Sequence, residues 1–431
     1  MELIQKLSKI WSGINYPFLI YNKKEVKFSQ INELEFIDLS IVKQGDVVAI
    51  ISDFNLKSIQ TILRLIDLKA IIVPLTKDTK AYHNYFFSSA LVDFVIENDA
   101  IFKINHKKEN DLINVLRSKN HAGLILFSTG TTGKQKAILH DLTLFLKRFD
   151  TPRPKLKTIN FLLFDHIGGI NTLFHTLYNR GTVVVPVSRT VDTILKTCKD
   201  YNVELLPTTP TFLRLMLMSN SFPDKIPNCI KIITYGTERM DQLTLDELCK
   251  NLPKIEFRQT YGMSELGIVR AKSEARNSLF MKIGGEGVET RVVDNILEIR
   301  SKSRMIGYLN APSPFDAEGW YNTKDVVEVK KNLYKITGRN SDIINVGGLK
   351  FMSSDVEKIV LEHPSILFAK VLVKNNPFTG QHVELSVQPK SNDTVNKETL
   401  MFFLKKKLQS HMVPKRIIIE NMNIGHRFKK N

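Results

Sequence analysis

Cysteine is scarce: 431 residues hold three, Cys198, Cys229 and Cys249, odd in number, far apart and without CxxC spacing. Nothing there suggests a disulfide framework or a cysteine zinc site, so a reducing, cytoplasmic setting is expected. No apolar run approaches the roughly 18 residues of a membrane helix. The first eleven residues space Leu3, Ile4, Leu7, Ile10 and Trp11 like an amphipathic helix and carry Glu2, which fits a secretory signal poorly. Internal repeats, low-complexity tracts and arginine-rich arms are also missing. Neither export, a membrane span nor a nucleic-acid partner is expected.

What remains is an ordinary globular composition, 43% hydrophobic and 24% charged, long enough for two or three units. Lysine and arginine outnumber aspartate and glutamate by 61 to 44, a formal charge of +17. That balance is either a solvated lysine surface or a preference for an acidic membrane surface, a phosphorylated ligand or an acidic protein, with nucleic acid the weakest reading.

Short β-branched runs alternate with helical periods through the first three quarters of the chain. Strands are predicted at 47–51, 70–73, 161–164, 182–185, 203–206 and 230–235, and helices at 56–68, 168–178, 190–200 and 210–218. Such repetition predicts an α/β fold of parallel sheets covered by helices on both faces. From 288 to 335 the texture becomes short alternating strands, a smaller β-rich subdomain. The last stretch reads as a compact α+β unit, with helices at 353–363 and 397–409 and strands near 366–373, 382–388 and 416–419. Residues 1–340 are thus expected to form a large domain and 341–431 a small one.

Residues 127–137 read FSTGTTGKQKA after the strand-like 124–127. Glycines let backbone approach an anion, hydroxyls and N–H groups donate to phosphate oxygens, and lysines add positive charge. A Walker loop is excluded, because two residues rather than four separate Gly130 from Gly133 and Gln135 follows Lys134. Composition alone leaves a Gly/Thr-rich surface turn as the alternative.

Further on come TYGTE at 234–238, YGMSE at 261–265, GWYNTKD at 319–325, GRNSDIINVGG at 338–348, MVPK at 412–415 and the terminal Lys429. In this order the motifs resemble, over essentially the whole chain, the adenylate-forming superfamily of acyl- and aryl-CoA synthetases, peptide-synthetase adenylation domains and luciferase-like enzymes. The resemblance implies an ATP-dependent activation of a carboxylic acid to an acyl-adenylate, followed by transfer to the thiol of CoA or of an acidic carrier protein's phosphopantetheine. It implies phosphate contacts from Ser128, Thr129, Gly130, Thr131, Thr132, Gly133 and Lys136, Mg²⁺ ligation by Thr132 and Glu265, and a nucleotide border of Gly236, Thr237, Glu238, Gln259, Tyr261, Gly262 and Ser264. It also implies that Lys429 bridges carboxylate and α-phosphate, with Lys430 as the alternative register. Gly347, Gly348 and Lys350 would approach the adenylate when the small lid domain rotates.

The residue types suit these roles. Tyr261 offers an aromatic face to adenine, Glu265 an oxygen ligand to a hard cation, Asp325 an acceptor for both ribose hydroxyls, and Arg339 a permanently charged fork. His166, in 164–170, matches the pocket histidine of many acyl- and aryl-CoA ligases. Where amino-acid-activating relatives place an aspartate one position later, this chain has Ile167, which argues against an α-amino acid because an unpaired buried ammonium is costly. A one-residue shift onto Asp165 would reopen that reading.

Departures from the family pattern are Gln135 for proline, Ala137 and Lys324 for glycines, and Ser341 for the hinge lysine or aspartate. The tail around Lys429 lacks the usual glycine, which leaves a non-catalytic nucleotide-binding relative as a rival. The phosphate loop also arrives early, so a trimmed N-terminal subdomain and a small or medium acid are expected.

Overall fold

Val47–Ile51 is buried at every position, and its alternate side chains enter two different cores. Val48 and Ile50 pack with the helix Leu56–Asp67 on one face, while Val47, Ala49 and Ile51 pack with Phe86 and Leu116 on the other. A strand covered on both faces must be continuously apolar, and this one is. The computed structural model describes residues 2–104, 109–128, 134–219, 222–224, 226–390 and 395–421.

Two seven-stranded sheets form the large part of the protein. In one, Gly123–Phe127, Ile71–Leu75, Val47–Ile51 and Phe94–Glu97 run parallel, flanked by antiparallel edge strands that include Ala137–Asp141 and Gly307–Tyr308. In the other, Glu256–Gln259, Ile232–Tyr235, Leu205–Thr208, Thr158–Ile159, Val183–Val185 and Leu19–Tyr21 are all parallel. One core fills the space between them, built largely from Leu56–Asp67, Ile167–Tyr178 and Glu2–Ile10. A six-stranded antiparallel sheet from Ala271–Ser273 to Leu333–Arg339 follows. Residues 343–419 make a five-stranded sheet with its own core of residues such as Val356, Val387 and Leu404. Among the described residues no helix is long and apolar enough to cross a membrane.

The strand expected at 161–164 is not there: the ladder ends at Ile159, and the chain runs irregularly to Ile167. Its apolar residues serve packing instead, Phe161 against Phe212 and Phe164 against Phe54, with ring centroids 4.9 and 5.2 Å apart. Arg189 Nε donates to the Phe161 carbonyl where a neighbouring strand would have done so. Helix and strand ends elsewhere shift by up to three residues from the pattern.

The irregular segment lies so close to the helix Ile167–Tyr178 that a Cβ on Gly169 would sit 2.2 Å from the Leu163 carbonyl oxygen and 2.9 Å from the Phe54 ring. Gly169→Ala is therefore expected to destabilise the large domain by about 1–3 kcal/mol through overpacking. An unchanged thermal midpoint would contradict this close approach.

Candidate nucleotide site

The carboxyl ends of Ile232–Tyr235 and Glu256–Gln259, the edge of the six-stranded sheet and the helix Ser353–Leu361 surround a cleft of about 490 Å³. Open parallel sheets bind ligands outside the carboxyl ends of their strands. Thr237, Glu238, Gln259, Tyr261, Gly262, Asp325 and Arg339, widely spaced in sequence, all line it. Gly236 stands beside them where a Cβ would meet Thr260 Oγ1 at 2.2 Å. Thr237 holds φ of +69°, a costly conformation for a β-branched residue and one that clusters at functional sites. Glu238 accepts from the Thr211 backbone N–H and hydroxyl, which fixes it over the first turn of Pro210–Met218.

At the centre is Asp325. Tyr261 donates its hydroxyl to Oδ2 at 2.6 Å, and Arg339 Nε lies 3.3 Å from Oδ1. Loss of solvent pushes the Asp325 carboxyl above the usual carboxylate range, and the Tyr261 hydrogen bond and Arg339 charge oppose that rise. Burial, and then the neighbouring carboxylate, push the Tyr261 phenol well up, so it remains a donor. Gln259 Oε1 is buried without a hydrogen-bond partner among the described residues, an acceptor at the cleft wall.

The two ends of the phosphate loop are clamped together. Ser128 N–H donates to the Lys136 carbonyl, and Lys136 N–H donates to Ser128 Oγ, both at 3.0 Å. Asn310 accepts from Ala137 N–H and donates to the Gln135 carbonyl, which Tyr85 also contacts at 2.7 Å. Lys136 Nζ sits 4.7 Å above the Tyr308 ring, and the Tyr308 hydroxyl donates to Glu265 Oε1 at 2.8 Å. Tyr308 thus joins the loop lysine to the carboxylate, a connection sequence reasoning missed. Its only signal was a Gly-Tyr pair ahead of a proline-containing turn. His140, also missed, pairs with the Ser264 carbonyl at 2.6 Å, and burial lowers its pKa to about 4, leaving it neutral.

Other expected residues stand apart. His166 caps Ile167–Tyr178, its Nδ1 accepting from Gly168 N–H at 3.0 Å, and it does not line the cleft. Gly347 and Gly348 make the exposed turn between Ile343–Val346 and Leu349–Met352, with Lys350 exposed on the second strand, and none of the three lines the cleft. Thr129, Gly130, Thr131, Thr132, Gly133 and Lys429 lie outside the described residues.

A nucleotide-sized cleft at the carboxyl edge of a parallel sheet defines a ligand-binding α/β protein. Residues 34–307 match the family model of the AMP-binding enzymes, and the chain belongs to that family, within the adenylate-forming superfamily. It is 26% identical over 327 residues to 2-succinylbenzoate–CoA ligase of Bacillus licheniformis, covering 68% of this chain and 65% of that protein. It is 21% identical over 360 residues to 4-coumarate–CoA ligase-like 6 of Arabidopsis thaliana, 76% of this chain and 64% of that one. The matched region thus spans just under two thirds of either relative. An anthranilate CoA ligase solved with anthranoyl-AMP shares the fold, with a TM-score of 0.80 at 14% identity, covering 100% of this chain and 95% of that one.

If the ionised form of Asp325 supplies acceptors to a nucleotide, binding should weaken as pH falls through its raised pKa. Tyr261→Phe removes a bond that favours the ionised form, so the acid limb of binding should move up by about one to two pH units. Titrating an ATP analogue against both proteins across pH checks this; coincident limbs would refute the coupling.

Proposed function

We propose that the protein activates a small or medium carboxylic acid, not an α-amino acid, with ATP, releasing pyrophosphate, and passes the acyl group to the thiol of CoA or of a carrier protein's phosphopantetheine. The single observation that carries this reading is the convergence of Tyr261, Asp325, Arg339 and the unpartnered Gln259 oxygen on one cleft. Asp325 and Arg339 would take the ribose, Tyr261 would face adenine, and Gln259 would accept from its amino group. The substrate carboxylate attacks the α-phosphorus, the bond to the bridging oxygen breaks, and the mixed anhydride then accepts a thiol and expels AMP. Such a reaction needs positioning and charge neutralisation more than proton transfer.

Charge in the cleft is matched: Arg214, Arg239, Arg339 and Lys370 face Glu238, Asp325, Asp342 and Glu357. A triphosphate therefore needs additional cations, which Lys136 and Lys429 would supply. Among the described residues no cluster of three His, Cys, Asp or Glu could hold a metal. Mg²⁺ fits that poverty, because it keeps several waters and takes only one or two protein oxygens beside the phosphates. Glu265, with Oε1 accepting from Tyr308, would be the described ligand, and Thr132 the loop ligand. When bound, the ion would neutralise phosphate charge and polarise the leaving group. His166 enters as a wall of the acid pocket, since its Nδ1 is committed to the helix cap. Residues 341–431 would act as a mobile lid carrying Gly347, Gly348, Lys350 and Lys429, in a chain working in the cytoplasm.

ATP–pyrophosphate exchange across a panel of carboxylic acids tests the reading. Exchange with at least one acid is expected, and none with any would favour a non-catalytic nucleotide-binding relative. Lys429→Ala should abolish exchange, and an unchanged rate would remove that lysine from the chemistry. Thioester formation with CoA or with a loaded carrier protein decides the acceptor. Tyr308→Phe keeps a ring over Lys136 and deletes the donor to Glu265. It should raise the Mg²⁺ concentration needed for half-maximal exchange while leaving the requirement for acid unchanged.

A further inference from the structure

A second depression, of about 850 Å³, lies at the other end of the sheet that holds the nucleotide cleft. Ile167–Tyr178 links the parallel strands Thr158–Ile159 and Val183–Val185, so it runs against them and its last residues reach their amino ends. Tyr178, Asn179 and Arg180 line the depression there, beside the end of Glu2–Ile10 and the segment 149–155.

Its charge is unlike that of two other clefts. The nucleotide cleft sets four cations against four carboxylates. A cleft of about 700 Å³ above Val47–Ile51 sets Lys57, Lys77 and Arg189 against three aspartates. Here Lys6, Lys9, Arg153, Lys155 and Arg180 face Asp150 alone. Asp150 is taken by Lys6, and no ion pair involves the other four cations among the described residues. Glu204, whose carboxyl senses Lys155, is itself bonded to Lys231. The carboxyl ends of the helices Glu2–Ile10 and Ile167–Tyr178 each contribute about half a negative charge, which leaves an excess of about three positive charges. Of the three clefts compared, this one therefore carries the largest positive excess.

Two of the five cations are also held in place. Lys155 Nζ lies 4.6 Å over the Tyr16 ring and Lys6 Nζ 5.1 Å over Tyr178, contacts that fix an ammonium without using its N–H donors. Arg153 and Arg180 add two exposed guanidinium forks of the kind that match phosphate oxygens. A carrier protein docked here would point its arm at the amino ends of the strands, away from the chemistry. Concave walls and clustered charge suit a discrete polyanion.

We propose that this depression is a second anion site, separate from the nucleotide cleft, that takes a ligand bearing two or more phosphate groups, whether free in solution or carried by a lipid headgroup. Trp11 makes it readable: its ring lies 5.8 Å from that of Tyr16, and the chain's other tryptophan is Trp320. In a Trp320→Phe background, Trp11 emission is titrated with sodium tripolyphosphate and with phosphatidylcholine vesicles carrying phosphatidylinositol bisphosphate, using plain phosphatidylcholine vesicles as the blank. A saturable change is expected with one of the two charged probes, tripolyphosphate marking a free ligand and vesicles alone a lipid headgroup. Adding Lys9→Ala, Arg153→Ala and Lys155→Ala should raise its apparent Kd at least about tenfold, with ATP-analogue binding unchanged. Lys9→Arg with Lys155→Arg should retain affinity, which separates charge from misfolding. No saturable change with either charged probe, or equal affinity in the triple alanine protein, would overturn the proposal.

Discussion

Three separate pieces of chain meet on the Asp325 carboxylate. Tyr261 comes from the turn after the second parallel sheet, Asp325 from Tyr321–Lys330, and Arg339 from the last position of Leu333–Arg339, directly before the 340–342 turn. A buried carboxylate is expensive unless donors and a cation hold its charge, and a cation left without it would lose its anchor. Register makes the meeting possible, since Asp325 and Arg339 are cross-strand partners. Lys324, where the family pattern has glycine, holds φ of +60°, so the backbone just before Asp325 needs the left-handed conformation that glycine adopts freely. The lysine tolerates it with its N–H given to the Asn322 side chain.

The phosphate loop depends on that arrangement at one remove. Its exit strand Ala137–Asp141 pairs with Gly307–Tyr308, and Tyr308 carries the link onward to Glu265. His140 on the same exit strand grips the Ser264 carbonyl. One contact from the exit strand and one from its partner strand therefore hold the segment 261–265, whose first residue is the Asp325 donor. Gln135, which replaces the family's proline, lends only its carbonyl to Tyr85 and Asn310, so the loop's anchoring needs no particular side chain there.

Much of this was legible in the sequence and some of it could not be. Helical and strand periods exposed the doubly covered sheets because Val47–Ile51 and Ile71–Leu75 are apolar throughout. The same signal misled at 161–164, because burial by Phe54 and Phe212 selects the same residue types as burial in a sheet. Motif residues that line the cleft were readable since each sits within a short local pattern. Tyr308 was not, because its partners Lys136 and Glu265 come from distant segments and converge only through an antiparallel ladder at the sheet edge. Motif position puts His166 in the expected acid pocket, and the helix cap that its Nδ1 makes is a task the motif alone did not reveal.

The junction between the large part and residues 343–419 shows how little need hold the proposed lid. The Thr337 carbonyl accepts from Arg239 on one side, at 3.2 Å, and from Ser354 on the other, at 3.1 Å. Rotation about residues 340–342 would sacrifice the Ser354 bond and keep the Arg239 bond, a hydrogen-bond cost of about 0.5–1.5 kcal/mol beside the packing of Met352 on Gly338. A ligand can shift such an equilibrium only by its differential affinity for the two states, and here one or two charge-assisted contacts suffice. Glu357 and Lys370 already face the cleft from the lid side, opposite Glu238 and Arg339. In the proposed reaction, replacing ATP by an adenylate would remove negative charge from a cleft whose own charges balance, so the electrostatic hold on the proposed lid would change as the first half-reaction ends.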